Sequence, residues 1–175
     1  MQRPTPDHPT LTGWHDGHFV QLRPIVDTLS TRKLPIFWLQ VTMPVPLDVE
    51  ATFDFMMRPN GPSTFSNFEY LPHTAPTPHG LPQDGLLRTD DPDRLPAAGL
   101  IAPAFGLFSD PRVKELLVSP KGVRIVVQLA QAARAQYGVF RQAEFGDVQI
   151  DAAGLDEILA AMQGVVAGLN QRLDA

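Results

Sequence analysis

A chain of 175 residues can build one hydrophobic core, burying roughly 70% of its unfolded surface, and its 43% apolar content excludes wholesale disorder. The formal charge of −5 excludes a general nucleic-acid binder, because phosphate contacts need a clustered basic face and Arg23, Arg32 and Lys33 are scattered. With no cysteine there is no disulfide, thiolate nucleophile, Cys-ligated zinc or iron–sulfur cluster.

Proline is over-used, at 18 residues, and each one removes a backbone donor and fixes φ, so long uninterrupted elements are forbidden where they cluster. The expectation is an α+β domain spanning 13–175: an antiparallel sheet of about five strands, covered on one face by helices, with a long C-terminal amphipathic helix. Residues 1–12 read as a loose arm, without the apolar stretch of a signal peptide. No window reaches the ~18 apolar residues of a membrane-spanning helix, so the expected location is the cytoplasm.

In chain order, Gly13 to His18 is a glycine-flanked turn leading into a first strand, Phe19 to Val26. Leu34 to Met43 is aromatic, β-branched and apolar on both faces, which suits the middle of a sheet. Val49 to Met57 alternates imperfectly and reads as a third strand, joined to the second through a Pro44–Asp48 hairpin connection. The segment 59–83 carries six prolines and reads as a long loop. Its aromatic part, Phe65 to Leu71, is the piece that can be pinned to the body; the part from His73 to Gly80 is not.

Asp90-Asp91-Pro92 is a helix start, an acidic cap followed by proline at the first position. Ser109-Asp110-Pro111 reads as a second start, leading into Val113, Leu116 and Leu117 on one helical face. Pro120-Lys121-Gly122 is a turn. Val123 to Leu129 and Tyr137 to Phe145 then read as strands, the first with one arginine and no proline, an under-protected edge. Finally Asp151 caps a helix in which Leu155, Ile158, Leu159, Met162, Val165, Val166 and Leu169 recur at helical spacing. Ala160, Gly164 and Gly168 form a small-residue line on it. Two mid-helix glycines each cost about 1 kcal/mol against alanine, so a close backbone is expected there.

No motif carries chemistry. His15-Asp16-Gly17-His18 has imidazole and carboxylate, but the spacing fits no zinc signature and a surface turn is expected. Asp84, Asp90, Asp91 and Asp93 lack the alternate spacing and terminal glutamate of a calcium loop, so capping is expected. His73 and His79 flank a proline-rich tip beside Ser63, Ser66, Thr74 and Thr77, with no nucleophile elbow and no phosphate-binding glycine loop. No catalytic, metal or cofactor site is therefore expected.

The residues from Gly85 onward resemble the soluble domain of an uncharacterised bacterial family, many of whose members are membrane-anchored. The resemblance rests on Leu87-Arg88-Thr89-Asp90-Asp91-Pro92, Ala97-Ala98, Leu100-Ile101, Pro103, the Val123–Val127 run and the Leu155–Leu169 helix. It implies a fold and no site. The order of elements is also similar to that of bacterial secretion chaperones. The leading expectation is a non-catalytic protein-interaction or self-association module. Its expected contact residues are Phe37, Trp38, Met56, Met57, Tyr70, His73 and His79. The alternative is a small-molecule binder or hydrolase that gathers His15, His18, His73 or His79 in a cleft.

Overall fold

In a computed structural model, residues 9–27, 34–132 and 144–171 are described. They form one antiparallel sheet of eight strands rather than about five. The strands are β1 (Leu11–His15), β2 (His18–Asp27), β3 (Ile36–Pro44), β4 (Phe53–Met57), β5 (His73–Ala75), β6 (Gly85–Thr89), β7 (Val113–Ser119) and β8 (Gly122–Gln131). Their spatial order is β1-β2-β3-β8-β7-β4-β6-β5.

Four of these strands lie outside the expected set, β7 among them. β1 takes in Leu11 and Thr12, assigned above to the arm. It pairs with β2 through Asp16-Gly17, whose φ angles of 47° and 79° make the two-residue turn that matches strand twist. β5 falls in the part of the loop expected to stay unpinned, and β6 follows it. The expected Tyr137 strand lies outside the described residues up to 143, and Glu144 and Phe145 are not in a strand. β3 and β4 are not a hairpin: β8 and β7 stand between them. Val123–Leu129 is consequently central and not an edge.

The correction with the clearest cause concerns Val113 to Leu117, which is strand and not helix. The register of β7 against β8 slips between Val113 and Glu115. One extra residue there puts Val113, Leu116 and Val118 on the same face, a spacing of three and then two. The bulge thus imitates the i, i+3 pattern of a helix.

Helices cover one face. Asp91 caps a single 3₁₀ turn, Pro92–Arg94, by accepting from the Asp93 amide at 3.1 Å. A short helix α1 (Ala98–Ile101) runs into a 3₁₀ stretch, Ala102–Ser109. The long helix α2 (Ala152–Asn170) is capped by Asp151, which accepts from Ala153 and Gly154 at 3.3 and 3.1 Å. Its apolar stripe, Ile158, Leu159, Met162, Val165, Val166 and Leu169, packs with Leu39, Val41, Met43, Phe53, Phe55, Leu116 and Ile125 in the main core. The small-residue line does meet a close neighbour. A Cβ on Gly168 would lie 2.6 Å from the Leu100 carbonyl oxygen, and one on Gly164 2.7 Å from Pro103. With a mean hydropathy of 1.3, α2 is also long and apolar enough to cross a membrane by length and composition; here its buried stripe lies on the sheet.

The opposite face is covered by chain without regular helix. Phe65 and Phe68, in the segment between β4 and β5, close over Trp38, Met56 and Val126 as a second, smaller core. The Trp38 and Phe65 rings sit 4.9 Å apart. This cover positions the site.

Candidate functional site

Side chains alternate across each strand, so the face opposite α2 receives Trp38 and Gln40 from β3, Asp54 and Met56 from β4, Arg88 from β6, Glu115 from β7 and Arg124 and Val126 from β8. Polar groups on a covered face must find partners. Most of them do, and many partners are in the cover. Ser66 Oγ donates to Asp54 Oδ2 at 3.1 Å, Gln40 Nε2 to the Phe65 carbonyl at 3.3 Å, and Arg88 Nη1 to the Phe68 and Glu69 carbonyls at 3.4 and 3.1 Å. Arg124 Nε donates to Glu115 Oε2 at 3.0 Å. Asp54 and Glu115 are almost fully buried. Burial first, then the adjacent Glu115, pushes the Asp54 carboxyl well above the ordinary aspartate value.

Beside this network lies a cleft of about 350 Å³, lined by Trp38, Met56 and Phe65, by Asn60, Gly61, Pro62 and Ser63 of the cover, and by Arg58, Arg112, Lys114 and Gln128. Three backbone irregularities gather around it. The β7 bulge at Val113–Glu115 is one; a second register slip falls between Phe37 and Trp38 of β3. The third is Arg58, a non-glycine residue with φ of 42°. Bulges and left-handed non-glycine residues recur where a fold re-aims side chains for function. Lys114 Nζ donates to the Met57 and Arg58 carbonyls, which holds that turn. Arg58 itself reaches the Pro111 carbonyl at 2.8 Å and, more loosely, Asp84 at 3.4 Å. Trp38 lines the cleft, and among the described residues its buried indole N–H has no acceptor.

A larger cleft of about 680 Å³ lies on the other side, between the first half of α2, the 3₁₀ stretch and the sheet. Three of its charged residues, Asp110, Arg112 and Asp151, are occupied. Arg112 makes a bidentate pair with Asp110, Nε donating to Oδ1 at 3.1 Å and Nη2 to Oδ2 at 2.7 Å, which holds the Asp110 carboxyl below its ordinary value, and Asp151 caps α2. Among the described residues, no buried polar atom without a partner belongs to its lining.

The expected contact residues scatter. Trp38, Met56 and Met57 are buried and offer no exposed patch, because the 59–71 segment covers the face that carries Trp38 and Met56, while Met57 points into the main core. Phe37 is half-buried and stacks on Phe145 at 5.4 Å. Tyr70 is 84% exposed, and His73 and His79 are also exposed. The histidines do not converge. His15 and His18 sit at the β1–β2 turn and His73 on β5, the opposite edges of the sheet, about seven strand spacings or roughly 34 Å apart. Among the described residues no three His, Asp or Glu side chains are grouped to hold a metal ion. Asp90 is structural: its carboxylate accepts from the Thr52 amide at 2.8 Å, fastening the start of β4.

Comparison with protein-family models, with curated proteins and with solved structures finds no match in any of the three. The functional reading therefore rests on this chain's own geometry.

Proposed function

We propose that the protein is a non-catalytic binding module whose ligand seats in the cleft beneath the 59–71 segment. The observation that carries this is the unpartnered indole N–H of Trp38 in the wall of a cleft bounded by two bulges and a strained arginine. A buried donor without an acceptor costs about 1–3 kcal/mol, a cost that a ligand acceptor removes. The cleft is of ligand size. Its apolar side, Trp38, Met56, Phe65 and Pro62, suits a flat apolar body, and its polar side sets the donors Arg58, Lys114, Asn60, Gln128 and the Asp110-paired Arg112 beside one carboxylate, Asp27. That combination selects a small molecule with an apolar ring and a carboxylate or similar acceptor. Arg58 is the cation best placed to turn to it, because its pairing with Asp84 is long and exposed.

The test is equilibrium titration with anionic aromatic probes, 8-anilinonaphthalene-1-sulfonate and indole-3-acetate, followed by fluorescence and calorimetry. One-to-one binding is expected, weakened about tenfold or more in Trp38→Phe and in Arg58→Gln, the equivalent of about 1.4 kcal/mol. Absence of saturable binding, or binding indifferent to both substitutions, overturns the reading.

A second reading, self-association, is favoured by β1. This edge strand exposes 66% of Leu11 and 75% of Trp14.

A further inference from the structure

We propose that the Pro59–Leu71 segment is a lid over this cleft and that the Asp54–Glu115 pair is its proton-operated latch, so that the cleft closes on the acid side and opens as pH rises. The latch controls the site proposed above and rests on that reading for its purpose, although its motion can be measured without any ligand.

Besides the Phe65 and Phe68 rings in the second core, the lid is fastened by few polar groups. Its middle is held by Ser66 on Asp54, Gln40 on the Phe65 carbonyl and Arg88 on the Phe68 and Glu69 carbonyls. Ser66 Oγ also accepts from the Phe68 amide at 3.1 Å, so the Ser66–Asp54 contact organises the turn that carries the Phe68 ring inward. Near its start stands Gly61, with φ of 73° and open space around it, a position that can absorb a backbone rotation.

Of these fastenings, the one on Asp54 can change charge. In the sheet register Asp54 stands opposite Leu117, and Glu115 opposite Met56, so the two acids are diagonal neighbours on one face. Each carboxyl has one oxygen served and one orphaned. Ser66 serves Asp54 Oδ2 and Arg124 serves Glu115 Oε2; Asp54 Oδ1 and Glu115 Oε1 are buried with no partner. A proton on Asp54 turns one orphan into a donor for the other, and both are satisfied at once. Without it, two buried carboxylates face each other. The remaining charged groups do not remove that repulsion. Arg124 on β8 is committed to Glu115, and Arg88 on β6, opposite Asp54 in register, reaches into the lid toward Glu69. Lys114 on β7 is turned to the Met57 and Arg58 carbonyls, and β3 contributes the neutral Gln40.

A proton on Asp54 therefore favours the closed lid. Once Ser66 withdraws and water reaches Asp54, the open lid has no need of it. Burial, then the facing Glu115, raises the closed-state carboxyl well above the ordinary 3.8, outweighing the lowering effect of Arg124 and of the Ser66 hydrogen bond, so the proton is bound more tightly closed than open. Closure is then complete below the ordinary value and is lost as pH rises through the raised one. Across that window the open-to-closed ratio climbs by up to tenfold per pH unit.

The test uses the full chain with Trp14→Phe, which leaves Trp38 as the single tryptophan. Acrylamide quenching of Trp38 and hydrogen-exchange protection of residues 61–71 are followed from about pH 4 to about pH 9. Quenching is expected to rise and protection to fall with pH. Both trends should flatten in Asp54→Asn, whose amide supplies the donor at every pH, and in Glu115→Gln, which removes the facing charge. Ser66→Ala, with the latch hydroxyl removed, should loosen the lid throughout. PH-independent quenching in the parent, or an undiminished slope in both carboxamide variants, overturns the latch. Neither result bears on whether the probes bind at fixed pH, so the two proposals fail separately.

Discussion

Arg124 is the residue on which the covered face depends most. It is largely buried and holds the fully buried Glu115 through a 3.0 Å contact. Removing one member of such a pair strands the other, at a cost of about 3–5 kcal/mol, whereas replacing both with apolar side chains is often near neutral. Arg124→Met is therefore expected to lose about that much in urea unfolding, and Glu115→Leu with Arg124→Met to recover most of it. Equal losses in the single and double variants would show that Arg124 acts through packing alone. The sequence gives little warning of this network. Asp54 reads as one polar residue in an imperfectly alternating strand, and Glu115 as part of a helix. Their meeting depends on β7 inserting beside β4, and on a cover that carries the buried aromatics Phe65 and Phe68. Periodicity reports which face a side chain takes within a strand, not which strand lies beside it.

At the scale of elements, strong local signals were legible where local and tertiary preferences agree. β2, β3, β8 and α2 fall close to the expected places, and the Asp151 cap and the small-residue line are where the pattern puts them. β7 was misread because a bulge converts a period of two into a helical spacing behind an Asp-Pro start. The start itself exists as a turn: Asp110 accepts from the Arg112 amide at 2.8 Å. The α2 glycines allow a sharper test of packing against propensity. Gly168→Ala gains about 1 kcal/mol of propensity. It also drives a methyl group to 2.6 Å from the Leu100 carbonyl oxygen, a backbone atom that cannot rotate away. Overpacking costs about 1–3 kcal/mol, so a lower melting temperature is expected. Gly99→Ala in α1 meets nothing within 4 Å and should be neutral or stabilising. The opposite ranking would mean that α2 does not press on α1 as described.

For the whole molecule, the decisive feature is that the sheet formed by the described residues has two edges and they differ. β5 is three residues long and bracketed by Pro72 and Pro76, which cannot donate to a ladder, so this edge resists extension. β1 is longer, lies between no prolines, and exposes Leu11 and Trp14, with Trp14 propped edge-on against Phe19 at 5.6 Å. Composition had pointed to Val123–Leu129 as the vulnerable edge, but strand order is a non-local property, and that segment lies at the centre of the sheet. The vulnerable strand is the one that leads into the Asp16-Gly17 turn. Two copies paired through antiparallel β1 strands would continue the sheet across a two-fold axis and bury both indoles, a closed, isologous contact. Sedimentation velocity at rising micromolar concentration is expected to show a monomer–dimer equilibrium. Trp14→Lys, which places a charge on the edge without touching either core, should shift it to monomer. A parent chain that stays monomeric throughout, or a Trp14→Lys variant that dimerises as before, would remove β1 as the contact and leave the lid-side cleft as the molecule's binding surface.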